Sequence, residues 1–393
     1  MKYLNLSGYI AIPLAYLVHY WLGRGANSEP TSWEPIVTFI LAGLGVVPLA
    51  HLMGEATEVL SEKAGPTWGG LLNATFGNAA ELIIAIIALS KGLNEIVKAS
   101  LTGSILGNLL LVAGASMLFG GWKHKSQKFS KAAAESSGGM LLVAVAAMLL
   151  PAIFHFTAER LEDTERVSHE HAVSVATSVV LIATYVLGLV FTLRTHSHLF
   201  THEPGHPDDP ESSSHGHAPA WSVKKAIVML LLASVGIGVV AELLVGSAEH
   251  VAHNLGWNPV FVGVILLAIV GNAAEHSTAV MLALKNDMNT ALMITNQSSL
   301  QIALFATPLL VFISRLMYAM HVGHAAPLDL VFSPLEVVAV IVAVLTVIVL
   351  SLNGDSNWFE GVLLLALYAI MAIVFFYIPM PAVVPGAAVP SHP

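Results

Sequence analysis

Glu81 and Glu275 close two copies of one pentapeptide, GNAAE, at 77–81 and 271–275. Each copy lies in an apolar run, TFGNAAELIIAIIALSKG from Thr75 and IVGNAAEHSTAVMLALKN from Ile269. An ionised carboxylate at the centre of a bilayer costs several kcal/mol, so a repeated one needs a reason. Two facing carboxylates reach overall neutrality in two ways: each binds a proton, or both stay ionised around one divalent cation. Bare and doubly charged, they are in the state to avoid. Calcium suits such a pair because it takes roughly six to eight oxygens, from carboxylates, amide carbonyls and water. The Asn-to-Glu spacing is i, i+3, which on a helix puts Asn78 with Glu81, and Asn272 with Glu275, on one face. Glu81 and Glu275 would then supply the charge, and Asn78 and Asn272 would supply amide oxygens. Gly77 and Gly271 come just before, where a helix can bend or unwind and free carbonyls as further ligands.

The elements that hold these groups must be membrane helices. Of 393 residues, 56% are hydrophobic and only 10% are charged, against roughly 25% charged in a soluble domain. The net charge of −9 offers no basic footprint for nucleic acid. The absence of cysteine excludes disulfides, thiolate metal sites and cysteine nucleophiles, and no cofactor is expected. Apolar blocks long enough to cross about 30 Å of hydrocarbon recur throughout. They predict eleven spans, at 5–22, 36–61, 67–90, 97–119, 137–156, 170–193, 222–247, 257–284, 288–313, 333–352 and 358–379. The fold class expected is an all-α polytopic membrane protein, a single membrane domain over 1–393 in the lipid bilayer of the cell membrane. No small-residue cleavage site follows 5–22, so that segment reads as a first helix rather than a removed signal.

Lysines and arginines set the orientation. With the N-terminus inside, ten of them face the cytoplasm and six, including Lys98, face outward; four of the ten lie in WKHKSQKFSK. The segment 194–221, with six histidines and four acids between 194 and 220, is expected as a cytoplasmic linker. Loose binding of a divalent ion there is the alternative.

Aligning the two pentapeptides gives an offset of 275 − 81 = 194, and in that frame Glu55 falls on Glu249, Lys91 on Lys285 and Ser104 on Ser298. Several matches in one frame argue for duplication, with repeat 1 at 36–193 and repeat 2 at 222–379. Each repeat has five spans, so the second starts from the opposite side of the membrane and the two are inverted. Inversion brings Glu81 and Glu275 face to face near the midplane. The next span of each repeat is also polar: GSILGN at 103–108 and NQSSLQ at 296–301 carry Ser104, Asn108, Ser298 and Gln301. Their hydroxyl and amide groups can bind a cation or orient the glutamates, or else bond one helix to the next. Glu55 and Glu249 fall toward opposite mouths, where each could attract cations or pass protons. His51, His250, His253 and His276 read as hydrogen-bonded structural histidines, with pH sensing as the alternative.

On these residues the chain resembles the cation/proton exchanger family of the calcium/cation antiporter superfamily, and most of all its prokaryotic calcium/proton antiporters. GNAAE, GNAAEH, GSILGNLLL, QSSLQIALF and HLMGEATEVLSEKAG carry the resemblance. It implies one helix followed by two inverted five-helix repeats, exchanging cytoplasmic Ca²⁺ for external protons. It implies further that Glu81 and Glu275 bind the ions, while Glu55 and Glu249 line the aqueous approaches. The family's acidic joining loop is here richer in histidine. A sodium/calcium exchanger of the same fold would use similar groups with more hydroxyl and carbonyl ligands. A calcium channel usually builds its carboxylate ring from several subunits. An intramembrane metalloprotease is disfavoured, because there is no H-E-x-x-H and neighbouring residues on a helix do not face one site. The oligomeric state is left open.

Overall fold

In the computed structural model, residues 2–22, 33–158, 162–196 and 221–379 are described. Most of the expected linker, 197–220, falls outside them. The described chain is almost wholly helical. Helices α1 (Lys2–Leu17), α2 (Glu34–Phe76, two helical stretches joined at a sharp break at Gly65, φ 81°) and α3 (Ala79–Ser90) are followed by α4 (Asn94–Leu106) and α5 (Ala113–His124). Next come the short strand β1 (Ser126–Lys128), α6 (Lys131–Thr157), α7 (Asp163–Val190) and α8 (Val223–Leu255). The second half continues with α9 (Pro259–Phe261), α10 (Ala268–Gly271), α11 (Ala273–Leu284), α12 (Met288–Gln301) and α13 (Thr307–Ala319). It ends with α14 (Pro334–Leu350), β2 (Asp355–Asn357) and α15 (Trp358–Phe376). The two strands pair antiparallel, Ser126 with Asn357 and Lys128 with Asp355.

Among the described residues, seven helices are long and apolar enough to cross a membrane alone, from Glu34–Gly65 to Trp358–Phe376. An eighth crossing results if Pro259–Gly271 and Glu275–Leu284, bent by 62°, make one span. The helices Ala79–Ser90 and Pro334–Leu350 are apolar but shorter. Long helices thus account for fewer crossings than the eleven expected, because several expected spans are interrupted.

The interruptions recur at the offset of 194. Helical geometry fails at Asn78 (φ −106°, ψ 30°) and again at Asn272 (φ −96°, ψ 7°). The chain turns through positive φ at Gly92 (75°) and at Asn286 (68°), where asparagine is one of the few side chains that tolerates the left-handed region. Wide π-helical turns occupy Gly107–Val112 after α4 and Ile302–Ala306 after α12. Such bulges inside helices concentrate at functional places.

Small residues let the backbones around these breaks close up. A methyl group on Gly236 would lie 3.1 Å from Leu49, and one on Gly43 would lie 3.9 Å from Leu244, so α2 and α8 pack intimately. Gly103 of α4 lies against the backbone of Val264, and Gly263 lies against Ala99. The first half's polar helix therefore presses on the second half's broken span. Lys98, placed with the outward loops by sequence, is instead buried within α4. Its Nζ meets Glu95 at 2.7 Å, Asp329 at 3.3 Å and the carbonyl of Val331 at 2.9 Å.

Candidate functional site

Asn78 and Asn272 each begin a helix whose third residue is the glutamate. Asn-x-x-Glu has the spacing of a capping box, yet neither asparagine caps its helix with its side chain. The amides instead cross to the other half. Asn272 Nδ2 donates to Ser104 Oγ at 2.9 Å and to the carbonyl of Ala268 at 2.9 Å. Asn78 Nδ2 reaches the carbonyl of Ser298 at 3.4 Å, and Ser298 Oγ donates to Asn78 Oδ1 at 3.3 Å. Each asparagine thus meets the serine that aligns with its own half's serine, so one pattern is crossed between the halves.

Asn108, in the π turn after α4, adds Nδ2 to Ser298 Oγ at 2.9 Å. The one proton of that hydroxyl goes to Asn78 Oδ1, while its oxygen accepts from Asn108. Asn78, Asn272, Ser104, Asn108, Ser298 and Gln301 are all buried, whereas Glu81 and Glu275 are half-buried. The two glutamates lie within electrostatic reach of each other.

Gly77 and Gly271 keep helical angles or pack as helix, and the departure falls on the asparagine after each. What the glycines provide is proximity. A methyl group on Gly271 would lie 3.4 Å from Glu81 Cγ, and one on Gly77 would lie 3.3 Å from Gln301 Oε1. Gly77 is exposed and Gly271 is buried.

Eight of the expected residues therefore converge: Asn78, Glu81, Ser104, Asn108, Asn272, Glu275, Ser298 and Gln301. Two of the oxygens are orphans, for Asn272 Oδ1 and Glu275 Oε2 are buried and accept no hydrogen bond. Buried acceptors without donors are uncommon and costly. A cation is one partner that satisfies both at once. Glu55 and Glu249 lie apart from this group. Glu55 is half-buried on α2 with His51 Nε2 at 3.4 Å, and Glu249 is exposed near the end of α8. Of the histidines, His250 meets its own helix at Gly246, while His276 Nε2 is buried without a partner.

Sequence reasoning missed Glu336, which is buried and accepts from Thr102 Oγ1 at 3.1 Å. The signal was present as Ser333-x-x-Glu336, a capping box that forms at the start of α14. It also missed the pair of His19 Nδ1 and Glu34 Oε1, 2.7 Å apart, which ties the π-helical turn Val18–Leu22 after α1 to the start of α2.

Comparison with known proteins finds relatives that span both halves. The family model described as sodium/calcium exchanger protein matches residues 34–194 and 225–377, one block in each half. The Ca²⁺/H⁺ antiporter of Synechocystis sp. is 45% identical over 375 residues, covering 93% of this chain and 95% of that one. The Ca²⁺/H⁺ antiporter ChaA of Bacillus subtilis is 43% identical, covering 88% and 93%. The solved structure of native YfkE superposes with a TM-score of 0.75 at 37% identity, covering 95% of this chain and all of that one. A match that spans both halves, with relatives this near over almost their whole length, identifies the chain as a membrane transporter that belongs to the sodium/calcium exchanger protein family.

Proposed function

We propose that this protein is a secondary active antiporter that exports cytoplasmic Ca²⁺ in exchange for H⁺ by alternating access, with Glu81 and Glu275 taking Ca²⁺ or protons in turn. The carrying observation is the crossed hydrogen bonding, Asn272 with Ser104 and Asn78 with Ser298, around two half-buried carboxylates within electrostatic reach of each other, with Glu275 Oε2 and Asn272 Oδ1 accepting no hydrogen bond. The antiporter names of the near relatives support the choice of ions. Glu81, Glu275, Asn272 and the freed backbone around the breaks would contact Ca²⁺; Ser104, Asn108, Ser298 and Gln301 would hold them in place.

In this reading the chain crosses the cell membrane eleven times, as 5–22 followed by inverted repeats 36–193 and 222–379. The short apolar helices and both broken spans complete the crossings. The N-terminus and the 194–221 linker face the cytoplasm. Ca²⁺ uptake into vesicles holding the purified protein, driven by an imposed pH gradient with Na⁺ and K⁺ varied, tests the proposal. Flux that follows the proton gradient and ignores Na⁺ supports it. Flux that requires Na⁺ transfers the same site to sodium/calcium exchange, and flux that needs no counter-ion makes the protein a channel.

A further inference from the structure

Glu275 is the third residue of α11, and the far end of that helix is gripped by side chains from the first half of the chain. Leu284 O accepts from Lys123 Nζ at 2.9 Å and lies 3.0 Å from His124 Nε2. Gln127 Nε2 donates to Ala283 O at 2.8 Å and to Asn286 Oδ1 at 3.0 Å. Carbonyl oxygens only accept, so Nε2 of His124 carries a proton and the Gln127 amide is oriented nitrogen-first. The last carbonyls of a helix lack partners within it and form the negative end of its dipole, which a lysine and two N–H donors complement.

Gln127 is the buried member of the three, at 2% exposed. Its Nε2 spends both protons on the end of α11, while its Oε1 is buried and accepts nothing. A buried oxygen without a donor is costly, and an apolar side chain of the same size would avoid the cost. Gly120 makes room for it, because a side chain there would run into Gln127 Oε1. Behind it β1 pairs with β2, and Ser356 Oγ donates to the Gln127 carbonyl at 3.3 Å. The gripping segment is therefore itself held, by the strand that leads into α15.

The matching end of α3, the helix of Glu81, is held otherwise. By the offset of 194, Ser90 stands for Leu284, and Met317, Tyr318 and His321 stand for Lys123, His124 and Gln127. Ser90 O accepts from the His324 backbone amide at 2.8 Å. One backbone donor meets Ser90 O where two side chains meet Leu284 O.

We propose that Gln127, backed by Lys123 and His124, is a positioning residue for Glu275: it fixes α11 along its axis and so aims the carboxylate toward Glu81. This rests on the reading of both glutamates as ion ligands. A rigid helix passes a shift at Leu284 on to Glu275, about 14 Å along the axis. A divalent cation needs several oxygens at one point, so a loosened α11 binds Ca²⁺ less tightly. At saturation the ion itself draws the carboxylates together, and maximal flux is kept.

Ca²⁺ flux into vesicles under an imposed pH gradient tests it. Gln127→Leu should raise the KM for Ca²⁺ about tenfold, the scale of two lost hydrogen bonds, with maximal flux within about twofold. Lys123→Met should raise it about threefold, and Lys123→Arg, which still donates, should recover most of that loss. Should Gln127→Leu fail to fold, Lys123→Met combined with His124→Leu takes its place, with the same rise expected. A fall in maximal flux at unchanged KM would make the grip a matter of folding alone and overturn the proposal. The chain has no cysteine, so α11 can also be followed without any ion. Spin labels on Met281→Cys in α11 and Phe119→Cys in α5, both exposed positions, should show a broader distance distribution when Gln127→Leu is added. An unchanged distribution overturns the positioning role. A protein that carries no Ca²⁺ at all would fail the transport reading instead, and the label distances would then judge the grip by themselves.

Discussion

The two GNAAE breaks share five residues and an offset, yet they are held differently. Asn272 is fixed by two bonds of 2.9 Å, and the glycine before it is buried. Asn78 makes longer contacts of 3.3 and 3.4 Å, and the glycine before it is exposed. The cause lies in the neighbours. Ser298 serves both Asn78 and Asn108, whereas Ser104 accepts only from Asn272 in the hydrogen bonds seen. Asn108 aligns with Ile302 and Gln301 with Gly107, so neither has a twin. Duplicated carboxylates thus sit in shells that are not duplicated. If the halves work as the inverted repeats proposed above, such inequality lets one half close while the other stays open, and access reverses when they exchange conformations.

The largest effect should ignore the difference. Glu81→Gln and Glu275→Gln are each expected to lower Ca²⁺ flux by about a hundredfold or more, since a neutral amide neither releases a proton nor balances the cation. Flux in vesicles under a pH gradient measures it. Near-normal flux in one variant alone would show that the asymmetry reaches the carboxylates and would remove that residue from ion binding.

Proton competition sharpens the comparison next. If one Ca²⁺ replaces protons on the same carboxylates, acidifying the side that binds Ca²⁺ should raise its apparent KM, and excess Ca²⁺ should restore the rate. A pair that binds two protons together gives up to about a hundredfold change in KM per pH unit in the limit; halves that act singly give about tenfold. Calorimetry in buffers of different ionisation enthalpy should register the released protons. A KM that stays flat as pH falls would end the shared-site mechanism.

The serines test the asymmetry directly. Ser298→Ala should weaken apparent Ca²⁺ affinity by about tenfold and Ser104→Ala by about twofold, because the first removes a hub and the second a single acceptor. Equal losses would mean that the shells are equivalent over the whole cycle.

How much of this was legible follows from what kind of signal each feature leaves. A carboxylate in an apolar run has few reasons to exist, so Glu81 and Glu275 could be found, and one frame sufficed to match Ser104 with Ser298. Their inequality could not be found, because it rests on Asn108 reaching Ser298 across 190 residues of sequence. The i, i+3 reading of Asn78 and Glu81 assumed an unbroken helix. Helical geometry fails at Asn78, and its amide bonds to Ser298 of the other half. Lys98 near a span end looked like a solvated charge; Asp329 and the Val331 carbonyl, 231 and 233 residues away, join Glu95 in holding it buried. Long apolar helices were easy to see. The wide turns at Gly107–Val112 and Ile302–Ala306 follow hydrophobic sequence that would equally suit a regular helix.

The smallest effects belong at the mouths, where the halves differ again. Glu55 has His51 at 3.4 Å, and Glu249 is exposed beside His250, whose ring is engaged with its own helix at Gly246. Neither touches the central residues, so each acts on Ca²⁺ only through its field. Fields of exposed charges raise the local concentration of a cation and its rate of arrival, and salt screens them over about 8 Å at physiological ionic strength. Glu55→Ala and Glu249→Ala should therefore raise the KM for Ca²⁺ about twofold to threefold at low salt, each only from the side it faces. The effect should fade at high ionic strength, with maximal flux preserved. Rates measured from both sides of oriented vesicles, at two salt concentrations, decide the point. A mouth variant as inactive as Glu81→Gln, or an effect that salt leaves unchanged, would place that carboxylate in direct contact with the ion.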